Sequence, residues 1–164
     1  MWAKTYTNII YEKLKETNSS QQSGSENSSA ATEHLSLGGD ARKEYSSKCI
    51  AERDLVLPIL DKIRGKTLFL QSYTLSKGHC LALAQACKHF NDQIVNRVHF
   101  DNCGLDDTEL SIVIEALSQL HDFKSIVYKQ NEFGPQALEQ IPKLFNRPIP
   151  FHLQELKLID CKIQ

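Results

Sequence analysis

From Lys66 onward the chain switches between two hydrophobic periods. Short stretches alternate apolar and polar residues, and the stretches between them place apolar residues three and four apart. The alternating stretches share one template: Leu68-x-Leu70-x-x-Tyr73-x-Leu75, Val98-x-Phe100-x-x-Cys103-x-Leu105, Ile126-x-Tyr128-x-x-Asn131-x-Phe133 and Leu156-x-Leu158-x-x-Cys161-x-Ile163. Their first positions, 68, 98, 126 and 156, are separated by 30, 28 and 30 residues. A period of two predicts a strand with one buried face, and recurrence at a fixed interval predicts stacked strand–turn–helix units.

The segments between the strands keep the same register. Cys80, Leu83, Cys87 and Phe90 correspond to Leu110, Val113, Leu117 and Leu120, and then to Leu138, Ile141 and Phe145. Each set forms one apolar stripe on a helix. Ser76, Asp106 and Gly134 precede these helices as N-caps, and Pro135 takes the favoured first helical position. Pro142 interrupts the third helix, which is expected to kink or restart there, and Asn146–Pro150 reads as loop.

Upstream the pattern fades. Leu55, Ile59 and Ile63 predict a helix over 51–64, ended by Gly65 and bent at Pro58, which would cover the open side of the first strand. Residues 18–48 are rich in Ser, Gln, Asn and Gly without apolar periodicity and read as a disordered linker. Trp2, Tyr6, Ile9, Ile10 and Leu14 give residues 1–17 a helical stripe, read either as a docking helix or as a frayed leader. The organisation expected is therefore 1–17, 18–48 and a repeat domain over 49–164.

With strands, turns and helices in one register, Lys66–Gln164 resembles the leucine-rich repeats of the ribonuclease-inhibitor-like subclass, whose motif is L-x-L-x-x-N/C-x-L followed by a helix. Tyr73 departs from that motif, where Asn or Cys is usual, as do the aromatics Phe100, Tyr128 and Phe133. The resemblance implies an α/β solenoid, a horseshoe segment with parallel strands on a concave face and helices on the convex one. The fourth motif finishes at Ile163, which is expected of a fragment or splice form of a longer array; an end covered by a partner and a truncated chain are the other readings.

Composition narrows the function classes. Nineteen basic residues balance twenty acidic ones, so no overall field favours nucleic acid or an anionic membrane. No run of about 18 apolar residues is present to span a bilayer. Five cysteines, an odd number, fall mostly on core positions of the register, which suits reduced thiols and a cytoplasmic protein better than a disulfide framework.

Candidate chemistry is sparse. His79, Cys80, Cys87 and His89 share one helix, but a closed zinc site needs four converging ligands, and the register already accounts for both thiols. His99 and Cys103 are expected on opposite sides of their strand, too far apart for a nucleophile and its base. Asp101, Asp106, Asp107 and Glu109 read as a solvated turn and helix start. No catalytic residue, metal ligand or cofactor is expected, and the chain is read as a non-enzyme.

The expected contact surface is the strand face turned away from the helices. Its predicted partner-binding residues are Phe69, Gln71, Arg97, His99, Asp101, Val127, Lys129, Lys157 and Ile159, with Phe69, Val127 and Ile159 as apolar anchors. The leading reading is a scaffold or interaction module for a protein partner. The repeat resemblance also implies two alternatives: a GTPase-activating regulator using Arg97 or Asn131, and a structural component of a cytoskeletal or ciliary complex.

Overall fold

A computed structural model of the chain describes residues 29–90, 94–120, 123–145 and 153–164, with side chains from residue 40 onward. Contacts divide the chain into two compact units, Met1–Thr32 and Glu33–Gln164, and the sheets with their helices belong to the second. Helix α1 (Ser29–Ala51) leads through a 3-10 turn (Ile59–Lys62) into β1 (Ile63–Arg64) and β2 (Thr67–Gln71). Then follow α2 (Lys77–Cys87), β3 (Arg97–Asp101), α3 (Asp107–Ser118), β4 (Ser125–Lys129) and β5 (Glu132–Phe133). Last come α4 (Pro135–Gln140) with a 3-10 extension (Ile141–Leu144), β6 (Glu155–Ile159) and β7 (Lys162–Ile163).

The result is a mixed α/β fold around a mostly parallel sheet, ordered β1-β2-β3-β4-β6, in which only β1 is antiparallel to its neighbour. The pairing register coincides with the sequence register: Leu68 lies opposite Val98, Val98 opposite Ile126, and Ile126 opposite Leu156. Because side chains alternate across a strand, this alignment sends every template position to one face. There Leu68, Leu70, Val98, Phe100, Ile126 and Tyr128 are buried against Cys80, Leu83, Leu110, Val113 and Leu117 of the helices. Phe100 stacks on Tyr128 with ring centroids 5.6 Å apart, and Tyr128 meets Phe133 edge-on at 5.3 Å.

Each parallel strand ends in the same way. Ser72, Asn102, Gln130 and Asp160 all take left-handed conformations, with φ between 49° and 56°. The first three then donate their N–H to Asp101 O, Lys129 O and Ile159 O on the next strand. A non-glycine residue with positive φ is costly, and here the hydrogen bond across the sheet holds it in place. The residue after the turn is tied backwards. Asn131 Nδ2 donates to Phe100 O and Lys129 O, and the Cys103 and Cys161 thiols donate to Leu70 O and Tyr128 O. Tyr73 occupies this position in the first segment, where the preceding strand β1 runs antiparallel.

The helix starts rest on neighbouring segments. Asp106 caps its own helix α3 by accepting from the N–H groups of Thr108 and Glu109. At α4, Gly134 offers no side chain, and the Asp107 carboxylate from the preceding helix accepts from Gln136 and Ala137 N–H at 3.1 and 2.7 Å. A Cβ on Gly134 would stand 2.6 Å from that carboxylate, so glycine leaves it room. At α2, Ser76 and His79 form a capping box, and the Ser76 hydroxyl donates to Asp54 at 2.6 Å.

Three expectations need correction. The linker read over 18–48 does not hold beyond residue 28, because α1 runs from Ser29 to Ala51, and Ala41, Tyr45 and Cys49 form its buried stripe. The capping helix read over 51–64 is absent. Pro58 has no N–H to continue a helix, residues 54–58 are irregular, and a 3-10 turn with the antiparallel strand β1 stands against β2 instead. In the third helix, Pro142 ends the α-helix at Gln140. The tighter 3-10 winding that follows buries Leu144 and turns Phe145, read as a core residue, out to 55 % exposure. The stripe of residues 1–17, the linker over 18–28 and the loop Asn146–Pro150 lie outside the described residues.

Candidate functional site

The outer face of the sheet carries the odd-numbered strand residues in three rows, fixed by the pairing register. The first is Thr67, Arg97, Ser125 and Glu155; the second Phe69, His99, Val127 and Lys157; the third Gln71, Asp101, Lys129 and Ile159.

The middle row starts with an aromatic and apolar stretch and ends in Lys157. Phe69 is 41 % exposed and meets the His99 ring edge-on, with centroids 4.7 Å apart. Val127 continues the row half-buried. The His99 Nε2 atom is buried with no hydrogen-bond partner among the described residues, and loss of solvation holds the imidazole below its ordinary pKa, with Asp101 opposing and Lys129 acting in the same direction as burial.

Charge is organised on either side. In the third row the Asp101 carboxylate accepts from Lys129 Nζ at 3.2 Å and from Gln71 Nε2 at 3.3 Å. These two neighbours close over it, so Asp101, expected as an accessible contact, is 5 % exposed. In the first row Glu155 accepts from Lys157 at 2.5 Å and from the Ser125 hydroxyl at 2.8 Å, contacts that together with the nearby Arg97 charge hold its carboxyl below the ordinary range. The nine expected contact residues thus share one face without forming one patch. Phe69, His99 and Val127 come together. Ile159 stands three strand steps from Phe69, about 14 Å at ordinary strand spacing, and in another row.

The other candidates are committed elsewhere. Among the described residues no group of three His, Cys, Asp or Glu side chains is placed to hold a metal ion. His79 is buried. Its Nδ1 accepts from Ser76 N–H at 3.1 Å, which leaves Nε2 to donate to Leu55 O at 2.8 Å. Cys80 and Cys87 lie in the core, where burial pushes each thiol up to about 12, and Cys103 is raised to about 11. Thiols so protonated are poor nucleophiles near neutral pH. Asn131, one of two residues weighed for a regulatory role, spends its side chain in the turn: beyond the two bonds above, its Oδ1 accepts from Leu105 N–H. Arg97 stays exposed. Beside the turns lies a shallow groove of about 420 Å³ bordered by Asn102, Asp106, Gln130, Glu132, Asp160 and Lys162.

Two inter-segment carboxylates were not apparent in the sequence: Asp54 falls within the helix expected over 51–64, and Asp107 within the turn and helix start expected to be solvated. A carboxylate one register step before a capless Gly134–Pro135 start was the available signal. No helix among the described residues is long and apolar enough to cross a membrane. No family model, no curated protein and no solved structure matches the chain.

Proposed function

We propose that the chain is a non-enzymatic interaction module, a leucine-rich-repeat solenoid segment that docks a protein partner on the outer, concave face of its sheet. The observation that supports this reading most is the middle row of that face. Exposed Phe69 lies against His99, which stands beside Val127, with the Asp101–Lys129 pair in the row on one side and the Glu155–Lys157 pair at the far end. An apolar centre inside a polar rim is the anatomy of a protein–protein contact, and paired rim charges give register without a strong field of one sign. His79, Cys80, Cys87, Cys103, Asp54, Asp106, Asp107 and Asn131 are used for capping, turns and core, which favours binding over turnover. Its buried thiols suit a reducing compartment, the cytoplasm.

Crosslinking capture from native extract, quantified for wild type, Phe69→Asp, Val127→Asp and the helix-face control Glu115→Lys, tests the reading. Loss of a residue at the centre of a contact weakens binding by about thirtyfold or more. The same one or few proteins should therefore disappear with either sheet-face change and persist in the control, with circular dichroism unaltered. An unchanged partner set in both sheet-face variants overturns the concave-face reading. Turnover of a substrate that one side-chain change abolishes overturns the non-enzymatic one.

A further inference from the structure

The pairing of β1 extends the first row of the outer face by one residue. Arg64 lies opposite Thr67, and Thr67 opposite Arg97. Directly opposed residues share a face, so the row reads Arg64, Thr67, Arg97, Ser125 and Glu155. Two exposed arginines thus stand on either side of Thr67, about 10 Å apart at ordinary strand spacing. The acids nearest to them along the chain and the row are engaged with other bases. Asp61 pairs with Arg42 at 3.1 Å, and Glu155, two strands beyond Arg97, pairs with Lys157 at 2.5 Å. Among the described residues neither Arg64 nor Arg97 forms an ion pair. Arg64 Nη1 donates to Asp61 O and Ile63 O, both at 2.8 Å, which tethers the guanidinium and leaves its Nε and Nη2 hydrogens for a ligand.

We propose that the Arg64–Thr67–Arg97 corner binds a carboxylate of the partner, and that the partner segment is an extended acidic peptide. The inference rests on the concave-face reading above and adds the chemistry of what docks there. Charge complementarity argues for this occupant: two unpaired guanidinium groups, with the Thr67 hydroxyl between them, suit a carboxylate, which accepts charge-assisted N–H and O–H bonds. Phe69 follows Thr67 by two residues, and His99 follows Arg97 by two, so the corner lies about 7 Å from the aromatic pair. An extended peptide lying along the strands repeats its side chains on one face at the same interval. An apolar side chain seated on Phe69 and Val127 therefore brings an Asp or Glu two residues away over Arg97. The row on the other side offers no equivalent, because Gln71 and Lys129 are both bonded to Asp101. The carboxylate thus sets which way the segment runs. A nucleic acid strand is the poorer occupant, since phosphate neutralisation calls for a run of unpaired basic groups.

Fluorescence anisotropy of the full chain with labelled peptide libraries tests the proposal, one built on Glu-x-Leu-x-Glu and the other on Gln-x-Leu-x-Gln. Wild type should bind the Glu library about tenfold more tightly. Arg64→Gln and Arg97→Gln should each weaken that binding by about threefold and together remove the preference, with the Gln library unaffected. Lys143→Gln, which removes the same charge from the 3-10 extension of α4, should change neither. Both arginines are exposed, and circular dichroism checks that folding is retained. Equal affinity for the two libraries, or a Glu preference that survives the double change, overturns the carboxylate site. A chain that binds neither library overturns the acidic peptide as occupant. So does a single-stranded oligonucleotide that binds more tightly than the Glu library and is lost with the double change. Phe69→Asp separates this inference from the reading beneath it. Binding lost with Phe69→Asp but blind to Glu against Gln leaves the concave face and removes the carboxylate site. Binding that needs the arginines and ignores Phe69→Asp overturns the concave-face reading itself.

Discussion

Strands β4 and β6 are built on the same template, yet they behave differently. Ile126 and Tyr128 of β4 are at most 1 % exposed, while Leu156 is half-buried and Leu158 lies open. Asn131 after β4 is buried and makes three side-chain hydrogen bonds; Cys161 after β6 makes its two at a half-exposed site. The difference is not in the residues but in their neighbours. An alternating strand gains its stabilisation from what lies on both sides of it, and among the described residues β6 pairs with a strand on one side. The other sheet edge teaches the same lesson in reverse: β1 and the 3-10 turn, which buries Ile59 and Leu60, stand beside β2, and Leu68 and Leu70 are at most 1 % exposed.

Thiol chemistry should separate the two regions most widely. At pH 8, an aromatic disulfide reagent should label Cys161 quickly in the native protein. Cys80 and Cys87, with pKa pushed up to about 12, and Cys103, raised to about 11, should react only as the chain unfolds. Mass mapping of the labelled sites that found Cys80 or Cys87 modified as fast as Cys161 would break the comparison.

Side-chain truncation comes next. Leu70→Ala should cost about 2–5 kcal/mol in urea unfolding, the range for a fully buried leucine. Leu158→Ala at low concentration should cost about 1 kcal/mol or less, since part of that surface is already wet. Equal costs would mean that the edge strand is covered in solution.

The turn position gives a smaller contrast. Asn131→Ala leaves the buried Leu105 N–H and Phe100 O short of partners and should cost about 1–3 kcal/mol. Cys161→Ala, at the half-exposed end, should cost less than half as much by the same measurement.

The smallest effect is a pH dependence. The folded-state pKa of His99 is lowered, so the unfolded chain binds its proton more readily. Stability should then be full above the ordinary histidine value, about 6.5, and fall as pH drops below it. Phe69, Asp101 and Lys129 face this imidazole. His99→Gln should flatten that part of the unfolding curve, and an unchanged slope would show that the ring is fully solvated.

Much of the sheet was legible. The 30-, 28- and 30-residue spacings set which residues lie opposite one another, because a one-residue slip would turn every apolar side chain to the wrong face. Helices α2 and α3 were legible for the same reason. Helix α1 was hidden because Gly38, Gly39 and a serine-rich lead-in obscured the four-residue spacing of Ala41, Tyr45 and Cys49. Of the candidate face, the three rows could be read from alternation alone. The closing of Gln71 and Lys129 over Asp101, and the separation of Ile159 from Phe69, could not.

What the sequence determined by itself is therefore local and periodic: strand direction of facing, helix stripes, and the turn residue that follows each strand. These depend on the chain's own dihedral preferences and on one face being buried. Tertiary structure alone decided which carboxylate serves which helix, as when Asp107 crosses to cap α4. It also decided which apolar residues stay wet at β6. Both outcomes depend on groups about 30 residues apart in sequence being brought within bonding distance, and the pattern within any one segment carries no record of what its neighbour supplies.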